Sequence, residues 1–121
     1  MAGYFVSGDP DLHMDSGLLA DEIAQRWPTV RFLERNDADN VARWAVRMPS
    51  NRELFGELQS SGQAIELEGD VYDAAEFARW VRTQVPDRLP LYFFDEGYTQ
   101  NLPVTSGTST AELAEPFVAR Q

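Results

Sequence analysis

Two alternating runs, "TVRFLER" (29–35) and "VARWAVRMP" (41–49), stand on either side of the polar pentapeptide "NDADN". A period of two places successive side chains on opposite faces of a strand, and a short polar connection brings two such runs together antiparallel. A chain built around this hairpin is neither all-helical nor a doubly wound sheet of parallel neighbours only. That is the strongest constraint on the fold.

The remaining segments are read against it. "GYFVSG" (3–8) is a short apolar run closed by Gly8, Asp9 and Pro10, and predicts a first strand. A helix follows, with Asp15 or Ser16 as cap, Leu19, Ile23 and Trp27 recurring on one side, and Pro28 as its stop. "SNRELFGELQSSG" (50–62) satisfies two patterns. Alternation permits a strand, but Ser50 and Glu53 form a capping-box pair, Leu54, Phe55 and Leu58 form a stripe, and Gly62 suits a C-terminal cap. The helix is the expectation there. "QAIELEG" (63–69) predicts a strand with Ile65 and Leu67 on one face and Ala64 and Glu66 on the other.

Ala74, Phe77, Ala78, Val81 and Val85 make the buried stripe of an amphipathic helix over about 71–84, flanked by Trp80. "LYFF" (91–94) predicts a central strand, and "YTQNLPV" (98–104) pairs back on it, with Pro103 confining that strand to an edge. Asp95-Glu96-Gly97 between them predicts a type I turn closed by the glycine in the left-handed conformation. Ser109 and Glu112 box the start of a last helix anchored by Leu113 and Phe117, which Pro116 is expected to cut short. Together these predict a single two-layer α+β domain over residues 1–121. Its sheet is mixed or mainly antiparallel, of about five or six strands, with three or four helices on one face.

Composition bounds the chemistry. With 43% hydrophobic and 12% aromatic residues in 121, the chain has the means to build a core and to bury roughly two thirds of its unfolded surface. No apolar run approaches the ~20 residues of a membrane span. "MAGYFVSGDPDLH" lacks the basic and long apolar regions of a signal peptide, so a cytoplasmic location is expected. The absence of cysteine excludes disulfides, zinc-thiolate sites and thiol nucleophiles. All ten basic residues are Arg, so Schiff-base lysines, P-loop lysines and Ser-Lys dyads are excluded too. A net charge of −10 argues against nucleic acid and anionic membranes as partners.

Charge is unevenly placed. Residues 26–52 carry six Arg against Glu34, Asp37 and Asp39, whereas residues 53–78 carry seven acids and no Arg. Arg43 and Arg47 share a strand face and are expected to pair across strands with Glu34, Glu66 or Glu68. Glu66, Glu68, Asp70, Asp73 and Glu76 run from a strand exit into a helix start, where capping accounts for Asp70 and Asp73. The rest form a like-charged surface that opposes self-association and steers a basic partner. Asp95 and Glu96 add an acid pair at a hairpin tip. These seven residues are the candidate partner-binding set.

Other motifs are less complete. Asp9, Asp11, His13 and Asp15 alternate as calcium-loop ligands do, with Glu22 in the twelfth position counted from Asp11, but Ser16 stands where the sharp turn requires glycine. His13, the only histidine, has no GxSxG elbow to serve, and neither GxGxxG nor GxxxxGK[ST] occurs. No catalytic residue, metal ligand or cofactor is assigned.

The C-terminal stretch "LYFFDEGYTQNLPVTSGTSTAELAEPF", an aromatic strand, an acid-Gly turn and a capped helix, resembles the ends of small acidic proteins of GC-rich bacteria, some of them immunity-type partners of polymorphic toxins. The resemblance covers about a quarter of the chain and implies a stoichiometric inhibitor that occludes a basic toxin domain. The expected function is therefore a non-enzymatic acidic binding protein with a basic protein as partner, and the resemblance implies an immunity-like inhibitor. Two alternatives stay open. One is a small metal-dependent enzyme or metal-binding module using the Asp9–Asp15 loop. The other is a homo-oligomeric accessory protein, such as a homodimer, using the Pro103 edge.

Overall fold

The computed structural model describes residues 3–118. The order is β1 (Gly3–Gly8), α1 (Ser16–Arg26), β2 (Arg31–Asn36), β3 (Val41–Arg47), β4 (Glu53–Leu58), β5 (Ala64–Glu68), α2 (Val71–Gln84), β6 (Leu91–Asp95), β7 (Asn101–Pro103) and α3 (Thr110–Val118). The strands form one sheet in the order β2-β3-β4-β5-β1-β6-β7, and every neighbouring pair is antiparallel. The fold is α+β, as expected, with one strand more than the sequence suggested.

The extra strand is β4. The segment expected to be a helix over 50–62 is extended and pairs with β3 on one side and β5 on the other. Leu54 and Leu58, four residues apart, fit a helical stripe and a strand face equally well. Tertiary pairing decides between them. Gly56 lies between the two leucines on the same face, opposite Trp44, and the indole packs against its backbone. A helix would gain nothing from that glycine. Ser50 serves in the β3–β4 turn, where its hydroxyl donates to Asp73 and accepts from Arg52 N–H, and Asn51 takes the left-handed conformation with φ 70°. Gly62, at φ 76°, turns the chain between β4 and β5.

Alternation sorts the sheet into two faces. Tyr4, Val6, Trp44, Leu54, Ile65, Leu67 and Phe93 are buried on the inner face, beneath the helices. A column of rings joins the layers: Trp44 stacks on Phe77 at 5.9 Å, Phe77 on Trp27 at 5.1 Å, and Trp27 meets Trp80 edge-on at 5.2 Å. Phe117 of α3 packs edge-on against Tyr4 and Phe93 at 5.5 and 5.6 Å.

The helix ends follow their caps. Asp15 starts α1 by accepting from Leu18 N–H, and Asp70 starts α2 by accepting from Tyr72 and Asp73 N–H. The Ser109–Glu112 capping box closes in both directions at 3.0 and 3.1 Å. Pro116 lies inside α3 and does not end it, contrary to expectation. The turn after β6 also differs. Tyr98, and not Gly97, takes the left-handed conformation, at φ 54°, with its N–H on Asp95 O at 3.0 Å. Its ring stacks on Phe94 at 4.6 Å, a contact that offsets the strain of a positive φ in a residue with a side chain. No helix among the described residues is long and apolar enough to cross a membrane.

Candidate functional site

All three helices pack on the inner face, so the outer face carries no covering element among the described residues. Sheet register places the side chains of that face in rows. One row runs Glu34, Arg43, Glu57, Glu66, Phe5, Phe94 and Asn101 across seven strands. The next runs Arg31, Ala45, Phe55, Glu68 and Gly3.

The two ends of these rows differ in charge balance. On the β2–β4 side the acids are matched: Glu53 meets Arg31 at 2.8 Å, and Glu57 and Glu34 meet Arg43 at 3.3 and 3.7 Å. The Arg31 hydrogen bond holds the Glu53 carboxyl below its ordinary range. On the β5 side no arginine follows. Glu66 stands directly opposite Glu57, and neither Glu66 nor Glu68 forms an ion pair among the described residues. Glu96, just past β6, lies over the backbone of Gly3, where a side chain on that glycine would strike its carboxylate. Gly3 is the register partner of Glu68, so Glu66, Glu68 and Glu96 share one neighbourhood. Burial raises the Glu66 carboxyl above its usual range, and the charges of Glu57, Glu68 and Glu96 raise it further.

Beside these acids lies a stack of rings. Phe5 stacks on Phe94 at 5.3 Å, and Phe94 on Tyr98, which is 64% exposed. Phe55 and Tyr92 are exposed on the same face. Carboxylates with no ion pair among the described residues and partly exposed aromatic rings therefore adjoin on the sheet.

The fold divides the seven acids singled out in the sequence. Glu66, Glu68 and Glu96 come together on the outer face. Asp70 and Asp73 instead clasp Arg52 at 3.2 and 3.1 Å, and Asp73 is buried, taking the Ser50 hydroxyl as well. Glu76 sits on α2, in the helical layer. Asp95 is tied into its turn: burial alone would raise its carboxyl, but the hydroxyl and N–H of Thr99 both donate to it and hold it below its ordinary range. Sequence reasoning missed Phe5, Phe55, Phe94 and Tyr98 as surface groups, although the alternation of Phe5 with Tyr4 and Val6 already carried that signal. Arg43 pairs across strands with Glu34, as expected, and also with Glu57; Arg47 meets none of the expected glutamates among the described residues and donates to the Asn51 carbonyl at 2.7 Å.

The Asp9–Asp15 loop has other duties. Asp9 accepts from Asp11 N–H, Asp15 caps α1, and His13 Nδ1 lies 3.2 Å from Ser61 O. No group of three His, Asp or Glu side chains among the described residues is placed to hold a metal ion. The loop does form one wall of a cleft of about 310 Å³, floored by Leu12, Leu19, Val85 and Leu89, with Glu22 and His13 among its polar lining.

No family model matches the chain, and no curated protein or solved structure matches it. The chemistry of the open face can be tested directly at Glu66. A carboxyl whose folded pKa is raised binds protons more tightly in the folded state, so it lowers stability as pH rises from its ordinary value through its raised one. Below that window both states are protonated and the penalty is absent. Glu66→Gln is therefore expected to stabilise the fold at pH 7 by about 0.5 kcal/mol, the scale of a like-charged cross-strand pair. The gain should shrink toward zero by about pH 4. Thermal melts across that range test it; a variant no more stable than the parent at pH 7 would contradict the assignment.

Proposed function

We propose that this chain is a cytoplasmic, non-enzymatic acidic binding protein whose open sheet face engages a cationic protein partner, as an immunity-type inhibitor occludes a basic toxin domain. One observation carries the reading: Glu66, Glu68 and Glu96, with no ion pair among the described residues, stand beside the Phe5–Phe94–Tyr98 stack on a face that no described element covers. Carboxylates of one sign draw a basic surface in and set its orientation. The rings then supply contact area and cation–π surfaces for arginine side chains that arrive with it. The like charge of the face also disfavours pairing of two copies through it.

The test is a titration of isotopically labelled protein with a peptide alternating arginine and tyrosine, followed by amide shifts. Shifts concentrated at Phe5, Glu66, Glu68, Phe94 and Tyr98, and weakening as salt rises from about 20 to about 300 mM, support the reading. Shifts confined to Leu18 and Val85 would sink it in favour of the cleft beside the Asp9–Asp15 loop.

That cleft sustains a second reading, a small-ligand module, because its size of about 310 Å³ falls within the range of ligand pockets, whereas the metal version has no group of three His, Asp or Glu side chains among the described residues behind it. Calorimetry with calcium, magnesium and manganese at millimolar levels decides it. Absence of both heat and a melting shift removes the metal version.

A further inference from the structure

Acids outnumber basic residues twenty to ten in this chain, so every arginine has carboxylates to choose from. Arg31, Arg35, Arg43 and Arg52 each meet at least one. Arg26, Arg47, Arg79, Arg82 and Arg88 meet none among the described residues, and of these Arg79 and Arg82 lie three apart on α2 and so on the same side of the helix. Arg82 is the more unusual, being only 5% exposed. Its Nη1 donates to Val104 O at 3.3 Å, and its Nη2 to Val85 O at 3.1 Å and Pro86 O at 2.6 Å. Its Nε is buried with no hydrogen-bond partner. Carbonyl dipoles satisfy donors but leave the charge of a buried guanidinium uncompensated, which is costly unless an anion is near.

The surroundings of Arg82 suit an anion. Arg82 lines a cavity of about 280 Å³ whose lining also includes Arg79, Thr105, Ser106 and Thr108. The loop holding these hydroxyls is fixed. Thr108 N–H donates to Thr105 O at 3.1 Å, and Thr105 N–H to Thr108 Oγ1 at 2.9 Å. Arg79 Nε donates to Thr108 O at 2.9 Å and its Nη1 to Thr110 Oγ1 at 3.2 Å, so the second cation is anchored at the cavity wall. A second cavity of about 270 Å³ shares Arg82, Thr105 and Ser106 with the first. Asp87, exposed, is the single carboxylate lining both.

We propose that the pocket between α2 and the Thr105–Thr108 loop is a binding site for a small oxyanion of the phosphate class, received by Arg79 and the loop hydroxyls and drawn by the charge of Arg82 behind them. Guanidinium groups and hydroxyls are the donors such an anion requires, and none of the acids on the open sheet face lines the pocket. Asp87 opposes the anion and sets a ceiling on affinity. The proposal is independent of the partner-binding role of the open face.

The test titrates inorganic phosphate into the full chain against chloride at matched ionic strength, reading melting temperature and the amide shifts of Thr105, Ser106 and Thr108. A saturable rise in melting temperature with saturable shifts at those three residues is expected. Asp87→Asn should tighten binding about threefold by removing the opposing charge. Arg79→Gln should weaken it about tenfold by removing a charge-assisted donor. Arg82 is avoided because its loss would unmake the end of α2. Responses indistinguishable from chloride, or phosphate binding that ignores both substitutions, would overturn the proposal.

Discussion

Gly56→Ala is expected to destabilise this protein by about 3 kcal/mol, and Gly56→Val to prevent stable folding at physiological temperature. The sign is opposite to what propensity alone dictates. Glycine inside a strand ordinarily weakens it, so alanine would stabilise by about 0.5–1 kcal/mol in an unconstrained site. Here a Cβ at position 56 would overlap the Cε2, Nε1 and Cζ2 atoms of Trp44. That indole is fully buried and is the first ring of the Trp44–Phe77–Trp27–Trp80 column, so it cannot yield without displacing the helical layer. Urea unfolding of the single substitutions measures the effect. A double-mutant cycle isolates its cause: Trp44→Leu should cost less in the Gly56→Ala background than in the parent, with a coupling of about 1–2 kcal/mol. Strict additivity would show that the glycine is required for some other reason.

The same pair explains what the sequence concealed. The hairpin from β2 to β3, the inward Ile65 and Leu67, the stripe of α2 and the Ser109–Glu112 box were all legible, because each is a local pattern of period or capping. Residues 53–58 were not, since Leu54 and Leu58 suit both periods and the deciding contact comes from Trp44, twelve residues before Gly56 in the chain. Gly97 offers the commoner signal for a positive φ, but Tyr98 takes it because its ring stacks on Phe94 of β6, a packing contact that turn composition does not encode.

The candidate surface was only partly readable. Glu66 and Glu68 are close in sequence to Asp73 and Glu76, yet the chain leaves the sheet at Gly69 and enters the helical layer, so the two pairs separate. Glu96 joins Glu66 and Glu68 only because β1 is inserted between β5 and β6, and strand order of that kind is set by long-range packing that no local pattern encodes.

That neighbourhood sets the second large expected effect. Replacing Glu66, Glu68 and Glu96 together by Arg should slow association with the arginine–tyrosine peptide by about a hundredfold at low salt, the span between steered and unsteered encounter. The salt dependence of the rate should flatten or reverse. Folding should survive, since all three side chains lie on the open face and Glu66 is already held against its like-charged neighbours. Each reversal changes the charge by two, so the net charge moves from −10 to about −4, and a control must match that change. Asp11, Glu22 and Glu115, all exposed and away from the sheet face, give the same net charge when replaced by Arg. If steering is local to the open face, this control slows association only about threefold at about 0.1 M salt, where charges farther away than a Debye length of roughly 10 Å are largely screened. Equal slowing in both triples would show that total charge, and not this surface, guides the encounter. Slowing in the control alone would move the site to the cleft between α1 and α2, where Asp11 and Glu22 stand.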